Sequence, residues 1–316
     1  MRILKTDKIM SIKDAVGEFI KDGDVVFIGG FVQSIPFGAT HEIIRQKKSN
    51  LTVSSLAGTI DIDQMIGAGC IKNLISSYTW NPIPKPAYCF RRSLEKGIPH
   101  RVEFEEYSLL SLSYAYFAGS QNLPFIGTKT LLGTDFVTHR SHMGDNKLKI
   151  IESPFNGEKV CLIPPIKHDV GLIHVQRCDD QGNAQIWGMT GSTRYGINSC
   201  EKIVVCAEEI VDKNVIRQNP DHTIVPEFRV NAVVEEPWGC HPTAMLGYYD
   251  RDFKFAALYA ELSKTIEGFE RFLDEWVYGV KDRQEYLNKV GKERMERLSA
   301  GSWDSGHPSY GKYNPF

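Results

Sequence analysis

The stretch DVVFIGGFVQSIP, residues 24–36, decides the fold class. DVVFIGGF, residues 24–31, reads as a strand that is apolar on both faces, the pattern of a parallel strand covered by helices on either side. Gly29 and Gly30 fall where that strand ends. Without a Cβ they let a ligand approach the backbone, and amides at such a strand end are candidate donors to a phosphate or a developing oxyanion. The competing reading is a tight turn in which the glycines serve geometry alone. No GKS or GKT follows and no GxGxxG is present, which argues against a P-loop NTPase and against a dinucleotide-dependent dehydrogenase.

Upstream, SIKDAVGEFIKDGD places Ile12, Ala15, Val16, Phe19 and Ile20 on one helical face. Ser11 suits the N-cap, with Asp14 three residues on, and Gly23 suits a left-handed C′ position. Downstream, FGATHEIIRQKK reads as a helix, LTVSSLAG as a second strand, DIDQMIGAG as a short helix and CIKNLISSY as a third strand. This β-α-β-α-β order predicts an α/β fold built on an open, mostly parallel, doubly wound sheet flanked by helices. YTWNPIPKPAY, residues 78–88, is loop chemistry at a strand end, on the ligand-binding edge of such a sheet. RVEFEEYS leads into a helix over roughly 108–122, and residues 127–150 read as a long surface excursion. Further strands follow in KVCLIPP, DVGLIHVQ, GNAQIWG, KIVVCAEEIV and NAVVEEP, with DDQGN as a turn that places Gly and Asn where positive φ is needed. A single domain over 1–316 is expected, with a helical C-terminal part over about 253–298 and a loose tail over 299–316.

Lys plus Arg (37) nearly balances Asp plus Glu (39), so no basic excess points to nucleic acid. No apolar run is long enough to cross a membrane, and MRILKTDKIMSIKDA carries no continuous apolar segment of the signal-peptide kind. The seven cysteines form no CxxC pair and several lie in apolar strand runs, the usage of buried free thiols in a reducing cytoplasm.

HDVGLIHVQRCDDQGNAQIWG, KIVVCAEEIVDKNVI, VNAVVEEPWGCHPT and EWVYGVKDRQEYLNKVG, in this order, resemble the family I CoA-transferases, and within them the A (alpha) subunit of the glutaconate type. The resemblance runs from about residue 9 to about 298. It implies a hetero-oligomer, a dimer of αβ pairs or larger, whose B (beta) subunit supplies a nucleophilic glutamate after its second strand. That glutamate moves CoA between an acyl-CoA and a carboxylic acid through a glutamyl-CoA intermediate. It implies no cofactor, the coenzyme A thioester being a substrate, and no metal. Ser54 and Ser55 stand here where the glutamate would be needed, and no GxSxG elbow surrounds them, so they read as hydrogen-bonding or packing residues.

On the same resemblance this chain lines the acyl pocket with Gly29, Gly30 and Phe31, with Ser54, Ser55 and Ala57, and with Tyr78, Thr79, Trp80 and Asn81. SSLAGTIDID is bulkier than the glutaconate-type stretch, and Trp80 and Pro82 replace smaller residues. A reshaped pocket for a CoA-linked carboxylic acid, dicarboxylic or unsaturated, is therefore expected. Two alternatives stay open: the A subunit of a CoA-thioester or ring-cleaving hydrolase, and a non-catalytic acyl-CoA-binding module. For the hydrolase Glu106 is the candidate acid or base, repulsion between the adjacent Glu105 and Glu106 carboxylates being expected to raise the pKa of one of them; the plainer reading is a pair of acids at a helix N-terminus. His139 and His142, with Asp145, have the spacing of a metal site but no second cluster, and read as a polar surface loop. His174 and His241 read as structural.

Overall fold

The computed structural model describes residues 8–139 and 141–300; residues 301–316, most of the expected loose tail, lie outside the described residues. Helix α1 (Ile12–Phe19) starts as its sequence requires: the Ser11 hydroxyl accepts from the Asp14 N–H at 3.1 Å and donates to its carboxylate at 2.7 Å. Its end differs from expectation. The C-cap is Ile20, and Gly23 (φ +88°) sits three residues further on, in the turn into the first strand, with its N–H on the Ser49 carbonyl.

Alternation of β- and α-elements then builds the first half: β1 (Val25–Ile28), α2 (Phe37–Arg45), β2 (Leu51–Ser54), α3 (Ile60–Gly67), β3 (Ile71–Ser76), α4 (Tyr88–Lys96), β4 (Glu103–Glu106) and α5 (Leu109–Ser120). The excursion that follows is largely irregular, framed by a small antiparallel sheet of β5 (Ile126–Thr128), β6 (Lys149–Glu152) and β7 (Lys159–Ile163). The second half contains β8 (His168–Cys178), β9 (Ala184–Gln185), α6 (Thr193–Asn198), β10 (Cys200–Ile210), α7 (Lys213–Gln218), β11 (Thr223–Val225) and β12 (Ala232–Glu235). The C-terminal helices are α8 (Phe253–Leu262), α9 (Ile266–Leu273), α10 (Arg283–Val290) and α11 (Lys292–Leu298).

The parallel strands lie in the order β12-β10-β8-β1-β2-β3-β4, with β9 and β11 added antiparallel to complete a nine-stranded sheet. The chain builds outward from β1 in one direction through β4, then returns to β8 and builds outward in the other. The order therefore reverses between β1 and β8, and the carboxyl ends of strands at such a reversal are where open α/β sheets bind ligands. Strand alternation divides the apolar side chains between two cores: Val26, Ile28, Val53, Leu74 and Leu172 pack with α1–α3 and the C-terminal helices, whereas Phe27, Ile75, Ile173 and Val205 pack with α5 and α6. Helix α2 is buried from Phe37 to Ile44 because the C-terminal helices close over it; Arg45 Nε donates to the Val277 carbonyl at 3.0 Å. All seven cysteines are buried and free.

Helix α4 was not evident in the sequence because three prolines precede it closely; it ends on Gly97 at φ +66°. In the DDQGN turn only Gly182 takes positive φ, and the Asp179 carboxylate accepts the N–H groups of Gln181, Gly182 and Asn183 at 2.8–3.1 Å.

Candidate active site

The ends of β1 to β4 bring together the residues singled out in the sequence. At the end of β1 the glycines are there for packing. A Cβ on Gly29 would lie 2.6 Å from Ile173 Cγ2, and one on Gly30 (φ +96°) 2.7 Å from the Ser34 carbonyl. Their amides are already engaged: Gly29 N–H to the Leu172 carbonyl at 2.9 Å, Gly30 N–H to Thr193 Oγ1 at 3.0 Å, and Phe31 N–H to the Gln33 carbonyl at 3.1 Å. The expectation that the Gly29 and Gly30 amides face a ligand is thereby corrected. The amides of the next two residues, Val32 and Gln33, have no hydrogen-bond partner among the described residues, and both residues are part-exposed. The turn holding them is unusual in its backbone, with Val32 at φ +58° and Ser34 at φ +57°. A β-branched residue is rarely found there.

A segment with no assigned role in the sequence pattern wraps this turn. Met189 O accepts from Gln33 Nε2 at 3.3 Å, Thr193 holds the Gly30 amide, and a Cβ on Gly191 would fall 2.8 Å from Phe31 Cβ. The usable signal was WGMTGSTR, residues 187–194, where glycines alternate with hydroxyls between a strand and a helix. Its partner strand lies far away in sequence, so pattern alone did not connect it to β1.

At the end of β2, Ser54 is fully buried and its hydroxyl pairs with Tyr116 Oη at 2.8 Å. Ser55 donates its N–H to the Ile75 carbonyl at 3.1 Å, and Ala57 is 5% exposed. The β2 and β3 loops are laced together: Gly58 N–H reaches the Tyr78 carbonyl at 2.9 Å and Trp80 N–H the Gly58 carbonyl at 3.0 Å. Thr79 Oγ1 would be 2.8 Å from a Cβ on Gly58, so glycine is what lets the loops meet. Thr79 Oγ1, Trp80 Nε1 and both polar atoms of the Asn81 amide are buried with no hydrogen-bond partner among the described residues. Such groups cost roughly 1–3 kcal/mol each when left unsatisfied. Tyr78, by contrast, is exposed and meets Trp80 edge-on at 6.4 Å.

At the end of β4 the two glutamates point to opposite faces, as alternation demands. Glu105 is fully buried: its Oε1 pairs with the buried Lys147 Nζ at 2.8 Å, and its Oε2 accepts from Ser141 Oγ at 2.8 Å and from the Ser141 and Met143 N–H groups at 3.1 and 3.2 Å. Burial works against the Glu105 charge, but Lys147 and Ser141 outweigh it and hold the carboxyl below its usual range. This corrects the expectation of a repelling pair. It also shows what organises the excursion: the loop of His139, His142 and Asp145 is tied to Glu105, with His142 Nδ1 3.9 Å away. Glu106 is half-buried and registered opposite Ser76, and its carboxylate has no ion-pair or hydrogen-bond partner among the described residues.

Elsewhere, His174, Glu208 and the Cys240 thiol lie close enough together to suggest a cation site. The Glu208 carboxylate is already saturated there by His174 Nε2 at 2.8 Å, by the Trp238 N–H at 2.6 Å and by the Tyr249 hydroxyl. A Cβ on Gly239 would meet His174 Nδ1 at 2.7 Å, so glycine is what lets that turn pack against the ring. His241 is likewise structural, bridging Tyr286 Oη at 2.8 Å and Asp252 Oδ2 at 3.0 Å.

Comparison with known proteins agrees with this architecture. The family model described as Coenzyme A transferase matches residues 9–236. The chain is 33% identical over 285 residues to the A subunit of 3-oxoadipate CoA-transferase from Pseudomonas knackmussii, covering 90% of this chain and 99% of that one. It is 34% identical over 304 residues to the A subunit of glutaconate CoA-transferase from Acidaminococcus fermentans, covering 92% and 94%. The crystal structure of the glutaconate coenzyme A-transferase of Acidaminococcus fermentans superposes with a TM-score of 0.87 at 33% identity, over 93% of this chain and 96% of that one. With a matching family model over most of its length, and a sheet whose strand ends carry the motif residues, the chain belongs to the coenzyme A transferase family.

Proposed function

We propose that this chain is the A subunit of a heteromeric CoA-transferase, and that it supplies the receiving half of the active site while a B subunit supplies the attacking glutamate. The observation that carries this is the character of the strand-end edge. It offers neutral donors, the Val32 and Gln33 amides and the orphaned groups of Thr79, Trp80 and Asn81, but among the described residues no activated nucleophile: Ser54 is sealed against Tyr116, and no side chain there hydrogen-bonds the Ser55 hydroxyl.

In this reading the partner's glutamate attacks the thioester carbonyl and the carbonyl oxygen takes up the charge. Free amides at the end of β1 stabilise that oxyanion. Collapse expels CoA thiolate and leaves a mixed anhydride. The thiolate then attacks the glutamyl carbonyl, releasing the free acid and forming glutamyl-CoA. A second carboxylate reverses these steps and departs as its CoA thioester. Gly29, Gly30, Phe31, Ser55 and Ala57 shape the wall, Ser54 braces it from within, and Tyr78 to Asn81 receive a second polar group on the acyl chain, which fits a dicarboxylic acid. CoA enters as substrate, with no further cofactor. We place the enzyme in the cytoplasm and treat residues 1–316 as one domain; among the described residues no helix is long and apolar enough to cross a membrane.

The test is reconstitution with a B-type subunit, incubation with acyl-CoA and labelled acetate, and detection of acetyl-CoA. Thiol release independent of any acceptor would sink the transferase reading and favour hydrolysis, for which the unpartnered Glu106 is the candidate acid or base. Borohydride trapping should mark a glutamate of the B-type partner; a mark on this chain refutes the division of labour.

A further inference from the structure

We propose that Arg251 is a positioning residue that aims the Gln33 amide into the active site by gripping the opposite side of the same peptide. This rests on the reading of the Val32 and Gln33 amides as oxyanion donors. Arg251 Nη2 donates to the Val32 carbonyl. In a planar trans peptide the carbonyl of one residue and the N–H of the next point in opposite directions. A guanidinium fixed on the Val32 carbonyl therefore fixes the Gln33 N–H facing away from it. The guanidinium does not lose its charge in proteins, so the grip is charge-assisted at any working pH.

The need for such a grip is visible in the turn. Val32 sits at φ +58°, where a β-branched side chain is strained, and strain of this kind persists only when surrounding structure over-determines it. Released, the Val32–Gln33 peptide would relax by rotating, presenting a carbonyl to the developing oxyanion in place of a donor. The same C-terminal segment holds the next residue as well: the Ser34 N–H donates to the Ala244 carbonyl at 3.0 Å, and the Ser34 hydroxyl meets Met245 Sδ at 3.5 Å. Those contacts, with the parallel bridge between Gln33 and Ala244, anchor the turn's far end, while Arg251 is the charged group among the described residues that reaches the carbonyl setting the peptide plane. Its guanidinium in turn lies over the Phe253 ring at 5.6 Å.

The experiment compares Arg251→Met, Arg251→Lys and Arg251→Ala in the complex with the B subunit. For Arg251→Met, kcat should fall about 10- to 1,000-fold, up to the loss seen when one oxyanion donor is removed, with KM for acyl-CoA changed less than about threefold. Arg251→Lys should recover part of kcat, and methylguanidinium should rescue Arg251→Ala in a saturable way. Unchanged kcat in Arg251→Met overturns the inference, as does failure of all three variants to assemble with B, which assigns Arg251 a purely structural part. Gln33→Pro, which deletes the amide proton, separates the two ideas. If it cripples kcat while Arg251→Met does not, only the Arg251 inference falls. If Gln33→Pro assembles and keeps full kcat, the donor reading itself has failed.

Discussion

Two polar regions of this chain treat their hydrogen-bonding groups in opposite ways. Around His241 and Asp252 the polar groups close on one another: His241 bridges Tyr286 and Asp252, and Asp252 also takes Arg294 Nη2 at 2.5 Å and the Phe255 N–H at 2.9 Å. At the strand ends, Thr79, Trp80 and Asn81 bury polar atoms with no partner among the described residues, and two successive amides of the β1 turn have none there either. Glu105 and Glu106 repeat the contrast within two residues, one saturated and one unpartnered among the described residues. Satisfied polar groups hold a fold together, whereas unsatisfied ones in a well-packed protein mark where something else is to bind. The contrast is open to attack by mutation, because stability should reside in one region and activity in the other.

The largest effect is expected at Lys147. Lys147→Ala leaves the Glu105 carboxylate buried without its cation, and urea denaturation should register a loss of about 3–5 kcal/mol. The double change Glu105→Leu with Lys147→Met should recover most of it; a double variant as unstable as the single would show that packing of the excursion matters more than the pair. Next is pH. Burial, opposed by the bond to Asp252, depresses His241 to about 4, so the folded protein holds it neutral while the unfolded chain takes up a proton below its ordinary pKa of 6.5. The stability it contributes is therefore complete above pH 6.5 and lost as pH falls towards 4, roughly 3 kcal/mol at full loss. Burial lowers His168 and His41 as well, adding to the slope. A flat denaturation midpoint between pH 6.5 and 4.5 would contradict this.

At the other region the sign reverses. Asn81→Leu removes an unsatisfied amide and should stabilise the chain by about 1 kcal/mol while lowering kcat/KM for a dicarboxylic acyl-CoA more than for a monocarboxylic one. Loss of stability, or equal loss on both substrates, would remove Asn81 from the pocket. The smallest effect belongs to the surface: breaking the exposed Arg297–Glu293 pair with Glu293→Ala should change stability by under about 0.5 kcal/mol.

Much of this was legible in the residues, and what was not has identifiable causes. The first helix, the three opening strands and the 109–120 helix were readable because period and capping are local properties. Helix α4 was hidden by its prolines, and the excursion before β6 by a lack of any period, since its order comes from Glu105 and Lys147, 42 positions apart in sequence. In the site, the glycine pair was found but its meaning was shifted by two residues: the glycines pack, and the free amides belong to Val32 and Gln33.

By itself the sequence determined the class of fold, the family and the strand ends on which the chemistry falls, because apolar alternation, cap residues and ordered motifs act over a few positions. Only the tertiary structure decided which amides are free, which glutamate is spent on an ion pair, and that residues 187–193 and Arg251 close around the β1 turn. Those outcomes depend on partners brought together across the sheet, and no local pattern encodes which of two neighbouring donors a distant side chain will occupy.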